Sequence, residues 1–270
     1  MNRLAEIIST RKQRVAEAKD AAPAEVVEIR ARSTRENAQP HALLQALSVP
    51  APIRIIAEFK RRSPSKGTIK GGADAVEIAR QYQRGDAAAI SVLTEPDYFD
   101  GSLDDLREIR ETVALPILRK DFIVDHYQVY ESAAAGADAL LLIVAALSDA
   151  ELITLRRTTE DELGMDALVE VHTSDEMQRA VQCGATIIGV NNRNLTTFEV
   201  SLDTSIELAR GAESGTILIS ESGIETVEDI RRLRAAGYRG FLIGETLMRA
   251  AHPEQLLAEF TDAHAAVKMD

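Results

Sequence analysis

The chain has 270 residues, of which 45% are apolar and 27% charged, a composition typical of a globular protein and unlike that of disordered or fibrous chains. Its length allows either two domains or one α/β barrel, which commonly has roughly 250 residues. The 31 basic and 43 acidic residues give a net charge of −12, which disfavours binding to nucleic acid or to an anionic membrane.

The first 48 residues are predicted to form a helical extension. One helical stripe there contains the apolar residues Leu4, Ile7, Ile8 and Val15. Residues 40–47 indicate a further short apolar helix. Charged residues interrupt positions 1–14, where a signal peptide would need an unbroken apolar stretch. We therefore expect a cytoplasmic protein.

From residue 49 to residue 270 one unit recurs: a short apolar run, then polar residues, then an amphipathic helix that ends at glycine. The apolar runs predict eight strands, at 53–59, 88–93, 116–120, 139–144, 167–171, 186–190, 216–220 and 240–243. Left-handed glycines are expected after four helices, at Gly85, Gly136, Gly184 and Gly237. Four predicted helix starts have the spacing of a capping box: Ser148/Glu151, Thr173/Glu176, Thr204/Glu207 and Thr226/Asp229.

Strands that are continuously apolar are typical of a parallel sheet covered by helices. Eight such β-α units predict a (β/α)8 barrel over 49–270, with 1–48 packed on it. A doubly wound open sheet is the competing architecture, but the Gly-x-Gly-x-x-Gly turn typical of its first strand is missing from the sequence. The longest apolar run, 139–147, is about half the length of a membrane-spanning helix, so no membrane segment is expected.

Charged residues end the odd-numbered strands of this barrel: Glu58 and Lys60, Lys120, Glu170, and Glu221. Side chains of one barrel layer come from alternate strands, and residue parity places Glu58 with Ile56 and Lys120 with Leu118. A single charge at a strand end is usually solvated. A ring that mixes carboxylates with ammonium groups is instead typical of an acid-base site, which we predict here.

Two glycine turns, Ser222-Gly223 and Gly244-Glu245, follow the seventh and eighth strands, where barrels often bind phosphate through backbone N–H groups. Tight turns would use glycine in any case, so this pattern leaves both explanations open. The loop 63–66 after the first strand adds hydroxyl and cationic donors. The histidines, His172 among them, have no metal-ligand spacing, and no serine or cysteine has the context of a catalytic nucleophile. The single cysteine, Cys183, is expected to pack at a helix end.

Six segments of the sequence resemble the indole-3-glycerol phosphate synthase family: IIAEFKRRSPSKG (55–67), PILRKDF (116–122), LVEVH (168–172), IGVNNRNL (188–195), SESGI (220–224) and FLIGE (241–245). The resemblance extends over nearly the whole chain, the N-terminal extension included. It implies conversion of 1-(2-carboxyphenylamino)-1-deoxyribulose 5-phosphate to indole-3-glycerol phosphate, carbon dioxide and water. It implies neither cofactor nor metal; we expect a small phosphosugar as the only partner, and a monomer.

The resemblance also implies roles for residues at matching positions. Lys120 would protonate the substrate carbonyl. Lys60 would pair with the substrate carboxylate, with the acid of the dehydration as its alternative role. Glu170 would be the general base, assisted by Glu58. Asn191, Arg193 and Glu221 would orient the sugar chain and the catalytic groups. A neighbouring cation such as Lys60 or Arg193 is expected to lower the pKa of Lys120.

Phosphate and ring contacts follow from the same resemblance. The phosphate would be held by Ser222, Gly223, Gly244 and the backbone of Glu245, with Ser63 as a further donor. Many members of the family have serine at the position of Glu245. The ring would lie among Phe99, Phe122 and Leu195. A phosphoribosylanthranilate isomerase and a non-catalytic phosphosugar-binding barrel are the rival functions; Glu58-x-Lys60 argues against the first, and the second has no need for both Lys120 and Glu170.

Overall fold

The computed structural model describes residues 3–50, 53–194 and 197–264. The chain opens with three helices, α1 (Arg3–Ala21), α2 (Ala24–Arg35) and α3 (Ala42–Ser48). Ile7 and Val15 of the predicted apolar stripe are buried, as periodicity requires. Both predicted N-terminal helices are therefore present, and α2 lies between them.

Eight parallel strands close into a barrel, which confirms the predicted fold. They are β1 (Arg54–Phe59), β4 (Ala89–Leu93), β5 (Ile117–Lys120), β6 (Ala139–Ile143), β7 (Asp166–Val171), β8 (Ile187–Asn191), β9 (Ile217–Glu221) and β10 (Gly240–Ile243). β1 pairs with β4 on one side and with β10 on the other, so this sheet has no open edge within the described residues. The open doubly wound sheet is thereby excluded. A two-residue hairpin that the sequence did not predict, β2 (Arg62–Ser63) with β3 (Gly67–Thr68), follows β1.

The remaining helices surround the barrel. They are α4 (Ala75–Arg84), α5 (Pro96–Phe99), α6 (Leu103–Thr112), α7 (His126–Ala134), α8 (Asp149–Arg157), α9 (Ser174–Gln182), α10 (Asp203–Leu208), α11 (Val227–Ala235), α12 (Glu245–Arg249) and α13 (Pro253–Thr261). A π-helical turn, Thr158–Glu162, extends α8, and short 3-10 turns occupy Val144–Ala146, Ala209–Gly211 and Asp262–His264. No helix among the described residues combines the length and the apolar character needed to cross a membrane.

Helix starts agree with the predicted capping at three of four positions. Complete capping boxes form at Ser148 and Thr226. Thr173 caps α9 through its hydroxyl, whereas the Glu176 carboxylate accepts from the backbone N–H of His172 instead of completing the box. The fourth prediction, at Thr204, is wrong because α10 begins at Asp203 and places that threonine inside the helix.

Three of the four helix-ending glycines adopt the predicted left-handed backbone, with φ of 89° at Gly136, 80° at Gly184 and 102° at Gly237. Gly85 does not, since its φ is −84° and Asp86 takes the left-handed conformation. A Cβ at Gly85 would lie 2.9 Å from the backbone of Glu254, so close packing against α13 is what requires glycine there.

The barrel interior forms an apolar cluster of its own, distinct from the larger core between the sheet and the helices. Leu43 and Leu47 of α3 belong to this interior cluster, together with Ile56, Leu118 and Leu168 from the strands. The N-terminal extension therefore closes one end of the barrel. The Cys183 side chain is buried in the outer core, where it packs as expected.

We predict that Leu43→Ala lowers the free energy of unfolding by about 3–5 kcal/mol, because a fully buried leucine leaves a cavity that the surrounding barrel cannot fill. Ile29→Ala, at a side chain 68% exposed on α2, should change it by less than about 0.5 kcal/mol. Urea unfolding measures both. Equal effects would contradict the role of α3 as the closure of the barrel.

Candidate active site

Four charged side chains meet where the odd-numbered strands end. Each lies two residues beyond an apolar residue of the barrel interior, so the alternation of a strand points all four inward: Glu58 after Ile56, Lys120 after Leu118, Glu170 after Leu168, and Glu221 after Ile219. Lys120 Nζ lies 2.8 Å from Glu170 Oε2 and 3.1 Å from Glu221 Oε2. The structure thus brings together the groups that the strand pattern selected.

Lys60 lies beside this cluster. Its Nζ donates a hydrogen bond of 2.6 Å to Glu58 Oε1. This pairing neutralises Lys60 locally, while Lys120 is surrounded by Glu170, Glu221 and Glu58. The expectation that a neighbouring cation lowers the pKa of Lys120 is therefore wrong: burial lowers that pKa, but the three carboxylates outweigh burial and raise it.

The two carboxylates on Lys120 differ in proton affinity. Burial raises the pKa of Glu221, and the negative charge of Glu170 raises it further. Lys120 lowers this pKa, but by less than burial and Glu170 together raise it. Burial acts in the same direction on Glu170, but Lys120, His172 and a hydrogen bond from Asn191 outweigh it and lower the pKa of Glu170. Environments that separate the pKa values of paired acids are typical of general acid-base sites.

Two glycines make room for these carboxylates. A Cβ at Gly189 of β8 would lie 2.1 Å from Glu221 Oε1, and a Cβ at Gly244 would lie 2.4 Å from Glu58 Oε1. Gly244 has φ of −117°, which any residue can adopt. Space for Glu58, as well as access to a ligand, explains glycine at this position. The sequence analysis did not identify Gly189, whose role depends on a side chain of the neighbouring strand.

The predicted phosphate-binding residues line the same cavity of about 560 Å³: Ser63, Arg193, Ser222, Gly223, Gly244 and Glu245. Ser222 and Gly223 have φ of 67° and 78°, so their peptide groups turn in left-handed geometry. Asn192 Nδ2 donates to the Ser222 carbonyl and fixes this turn. The Glu245 carboxylate pairs with Arg249 at 3.1 Å.

An aromatic wall bounds another side of the cavity. The rings of Phe99 and Phe122 are tilted by 43°, with centroids 6.2 Å apart. Glu95 is buried and accepts from the backbone N–H of Phe99 at 3.2 Å, which holds α5 in place. Leu195, the third residue predicted here, lies outside the described residues.

A buried ionic network lies directly beneath Lys120 and was missed from the sequence. Asp121 Oδ2 accepts from Arg11 of α1 at 2.5 Å, from Thr94 at 2.5 Å and from Arg119 at 3.0 Å. Burial opposes the charge of Asp121, but the two guanidinium groups outweigh it and lower its pKa. The first helix is thereby tied to the residue after Lys120.

No grouping of three or more histidine, cysteine or acidic side chains that could hold a metal ion occurs in the ranges that the structure describes.

Comparison with known proteins connects this geometry to a family. The family model "Indole-3-glycerol phosphate synthase" matches residues 4–260. The indole-3-glycerol phosphate synthase of Carboxydothermus hydrogenoformans is 45% identical over 258 residues, covering 94% of this chain and 97% of that protein. The one from Syntrophobacter fumaroxidans is 46% identical over 265 residues, covering 97% of this chain and 98% of that protein.

Solved structures share the fold at low sequence identity. 3-Hexulose-6-phosphate synthase from Salmonella typhimurium superposes with a TM-score of 0.65 at 14% identity, covering 78% of this chain and 98% of that one. Thiamine phosphate pyrophosphorylase from Pyrococcus furiosus superposes with a TM-score of 0.59 at 15% identity, covering 80% of this chain and 98% of that one. These similarities concern the barrel alone.

Opposite effects on stability are expected from neutralising the two carboxylates on Lys120. The pKa of Glu221 is higher in the folded protein than in the unfolded chain, where it is about 4.3. Ionisation of Glu221 therefore lowers the free energy of unfolding as pH rises above about 4.3. Glu221→Gln should therefore stabilise the protein by about 1 kcal/mol or more at pH 8. Glu170 has a lowered pKa, so its charge contributes stability above about pH 4.3, and Glu170→Gln should lose that stability at pH 8.

Thermal unfolding of both variants at pH 8 and at pH 4 measures these effects. The Glu221→Gln difference should nearly vanish at pH 4, where Glu221 is protonated in the folded protein and largely protonated in the unfolded chain. The Glu170→Gln difference should largely persist at pH 4, because the folded pKa of Glu170 is about 2. Destabilisation by Glu221→Gln at pH 8 would contradict the assignment.

Proposed function

Since the chain belongs to the indole-3-glycerol phosphate synthase family, we propose that the cluster around Lys120 performs the ring closure, decarboxylation and dehydration of that reaction. The substrate is 1-(2-carboxyphenylamino)-1-deoxyribulose 5-phosphate, and the enzyme is a carboxy-lyase of tryptophan biosynthesis. The observation that carries the assignment of residues is the contact of Lys120 with both Glu170 and Glu221 inside a cavity with an aromatic wall.

Lys120 acts as the general acid of ring closure. The ring carbon that bears the carboxylate attacks the ketone carbon, and negative charge develops on the ketone oxygen. An alkoxide is a stronger base than an amine, so an ammonium group of raised pKa still protonates it. Glu170 and Glu221 hold Lys120 Nζ at a fixed position, so little motion is needed before its proton is transferred to the substrate oxygen.

Lys60 pairs with the substrate carboxylate before it departs as carbon dioxide. In the structure Glu58 accepts from Lys60, so the substrate carboxylate competes for a cation that is already positioned. Loss of carbon dioxide returns the electron pair of the broken bond to the aromatic ring. Glu170, assisted by Glu58, then removes a proton from the adjacent methylene carbon. Lys60 donates a proton to the hydroxyl, which leaves as water.

Recognition uses the rest of the cavity. The phosphate binds to Ser63 and Arg193 and to the backbone at Ser222, Gly223, Gly244 and Glu245, while the aromatic ring contacts Phe99 and Phe122, with Leu195 as a further predicted contact. Asn191 orients Glu170 through its hydrogen bond. Fixing the phosphate and the ring at opposite sides holds the reacting carbons together, which can contribute several kcal/mol to catalysis.

We expect the protein to act in the cytoplasm as a monomer, with the phosphosugar as its only partner. Residues from α1 to α12 of one chain line the cavity, which supports a site complete within one subunit. The net charge of −12 supports the absence of nucleic-acid and membrane partners.

Incubation of the purified protein with the carboxyphenylamino substrate tests the activity, because indole formation produces a fluorescence signal. A phosphoribosylanthranilate isomerase would instead convert phosphoribosylanthranilate and leave this substrate unchanged. A non-catalytic barrel would bind the substrate without indole formation.

Lys120→Ala should lower kcat by roughly 10²–10⁴-fold, because a general acid is lost. Lys12→Ala, at an exposed lysine of α1, is the matched control and should retain parental kcat. Circular dichroism checks that both variants fold. Near-parental turnover by Lys120→Ala would remove Lys120 from the mechanism.

The two glycine turns should respond differently to alanine. Gly223→Ala is strained by its φ of 78° and by contact with Val200, so substrate affinity should fall and inorganic phosphate should inhibit less well. Gly244→Ala displaces Glu58, so kcat should fall in addition to any loss of phosphate affinity. Phosphate inhibition at constant ionic strength, together with kcat, separates the two. Unchanged phosphate inhibition in both variants would favour the loop 63–66 as the phosphate site.

A further inference from the structure

His172 lies beside the acid-base cluster, one residue beyond the end of β7. It follows Glu170 by two residues, and its Nε2 lies 3.4 Å from Glu170 Oε1. Its other ring nitrogen, Nδ1, lies 3.2 Å from Glu176 Oε2. The His172 side chain is 11% exposed, whereas Glu176, in the first turn of α9, is 17% exposed and faces outward more. The spacing of the histidines in the sequence indicates no metal site, and no other sequence pattern predicts a role for His172.

These contacts form a row of proton-carrying groups that is hydrogen-bonded at every step except the one between His172 and Glu170, where the two atoms are 3.4 Å apart. Glu176 contacts His172, His172 contacts Glu170 Oε1, and Glu170 Oε2 accepts from Lys120 at 2.8 Å. The imidazole Nε2 is buried and makes no aligned hydrogen bond to any described residue, so it is available to exchange a proton with Glu170. Imidazole suits this position because one ring nitrogen can accept a proton while the other releases one.

The reaction itself requires such a supply of protons. The ketone oxygen takes up one proton when the carbon–carbon bond forms and a second when it leaves as water. Only one proton returns, from the methylene carbon, because the bond to carbon dioxide breaks without releasing a proton. With the substrate carboxylate ionised, each turnover therefore consumes one proton from solution, and the acid must be recharged each time.

We propose that Glu176 and His172 form the route by which that proton passes from solvent, through Glu170, to Lys120. This inference rests on the function proposed above. His172 acts through Glu170 and does not touch the substrate. Each transfer is a proton moving between adjacent groups: Nδ1 accepts from Glu176, Nε2 releases to Glu170, and Glu170 releases to the neutral amine of Lys120.

The charges around His172 suit this role. Burial opposes protonation, but the hydrogen bond to Glu176 and the charges of Glu170, Glu176 and Glu221 outweigh burial and raise the pKa of His172. Glu176 lies on α9, Glu170 lies on β7, and Glu221 lies on β9, which is separated from β7 by β8. The imidazole therefore takes up a proton readily near neutral pH, where most other side chains do not titrate.

The test uses His172→Asn and Glu176→Gln, with His252→Asn as a matched control because His252 is an exposed histidine that also lies beside a glutamate. Turnover is measured in dilute buffer from about pH 6 to about pH 9, with and without added imidazole. Thermal unfolding and KM report any structural effect.

We expect His172→Asn to keep parental KM and Tm and to lose kcat by roughly tenfold, less than the loss from removing the acid itself. The deficit should widen as pH rises, and free imidazole should restore turnover because it replaces the missing carrier. Glu176→Gln should lose kcat in the same direction and keep the imidazole ring in place, so it tests the route independently if His172→Asn does not fold. His252→Asn should match the parent.

Parental kcat in both variants at every pH would overturn the route, as would a loss that imidazole does not restore and that accompanies lowered Tm or raised KM. Failure of the parent protein to form indole from the carboxyphenylamino substrate would overturn the proposed function, and the route with it. Either of those results in the variants, obtained with an active parent, would overturn the route alone.

Discussion

The contact of the Lys120 ammonium with two buried carboxylates is the interaction on which the mouth of the barrel depends. Removing three ionised groups from water costs several kcal/mol each unless they compensate one another. Here compensation is unequal, since one ammonium faces both Glu170 and Glu221, and Glu58 is nearby. The site resolves the excess negative charge by favouring the protonated form of Glu221 and the ionised form of Glu170. Glycines at 189 and 244 then follow as steric requirements of the carboxylates.

The helical N-terminal segment takes part in the site rather than only covering the barrel. Arg11 is hydrogen-bonded to Asp121, and Arg14 and Lys19 pair with Asp97 and Asp125 near the same rim. Breaking the buried pair should cost more stability than breaking the exposed ones, because it leaves a buried charge without its partner, whereas solvent screens the exposed charges. At the opposite end α3 inserts Leu43 into the barrel interior. The predicted boundary at residue 48 therefore divides the sequence into two segments that pack against each other in the folded protein.

Local patterns predicted the fold well, because strand length, apolar continuity and helix capping depend on neighbouring residues. The eight strands and the inward parity of Glu58, Lys120, Glu170 and Glu221 follow from such patterns. What the sequence analysis missed depends on contacts between distant segments. Arg11 meets Asp121 across 110 positions, and Gly189 makes room for a side chain of the next strand. The pKa of Lys120 is raised, where the prediction had it lowered, because carboxylates from three other strands surround the ammonium group. His172 was within reach of the sequence, since it shares the parity of Glu170.

Closure of the sheet has a consequence for how the protein is synthesised. β1 emerges from the ribosome as the first barrel strand, yet one of its two partners, β10, is the last. Throughout translation of the intervening strands, one edge of β1 therefore has no native partner and can pair with another nascent chain. The acid-base cluster draws on β1, β5, β7 and β9, so no catalytic competence can arise until nearly the whole polypeptide has been made. A cell that expresses this protein rapidly must shield that strand edge for most of the elongation time.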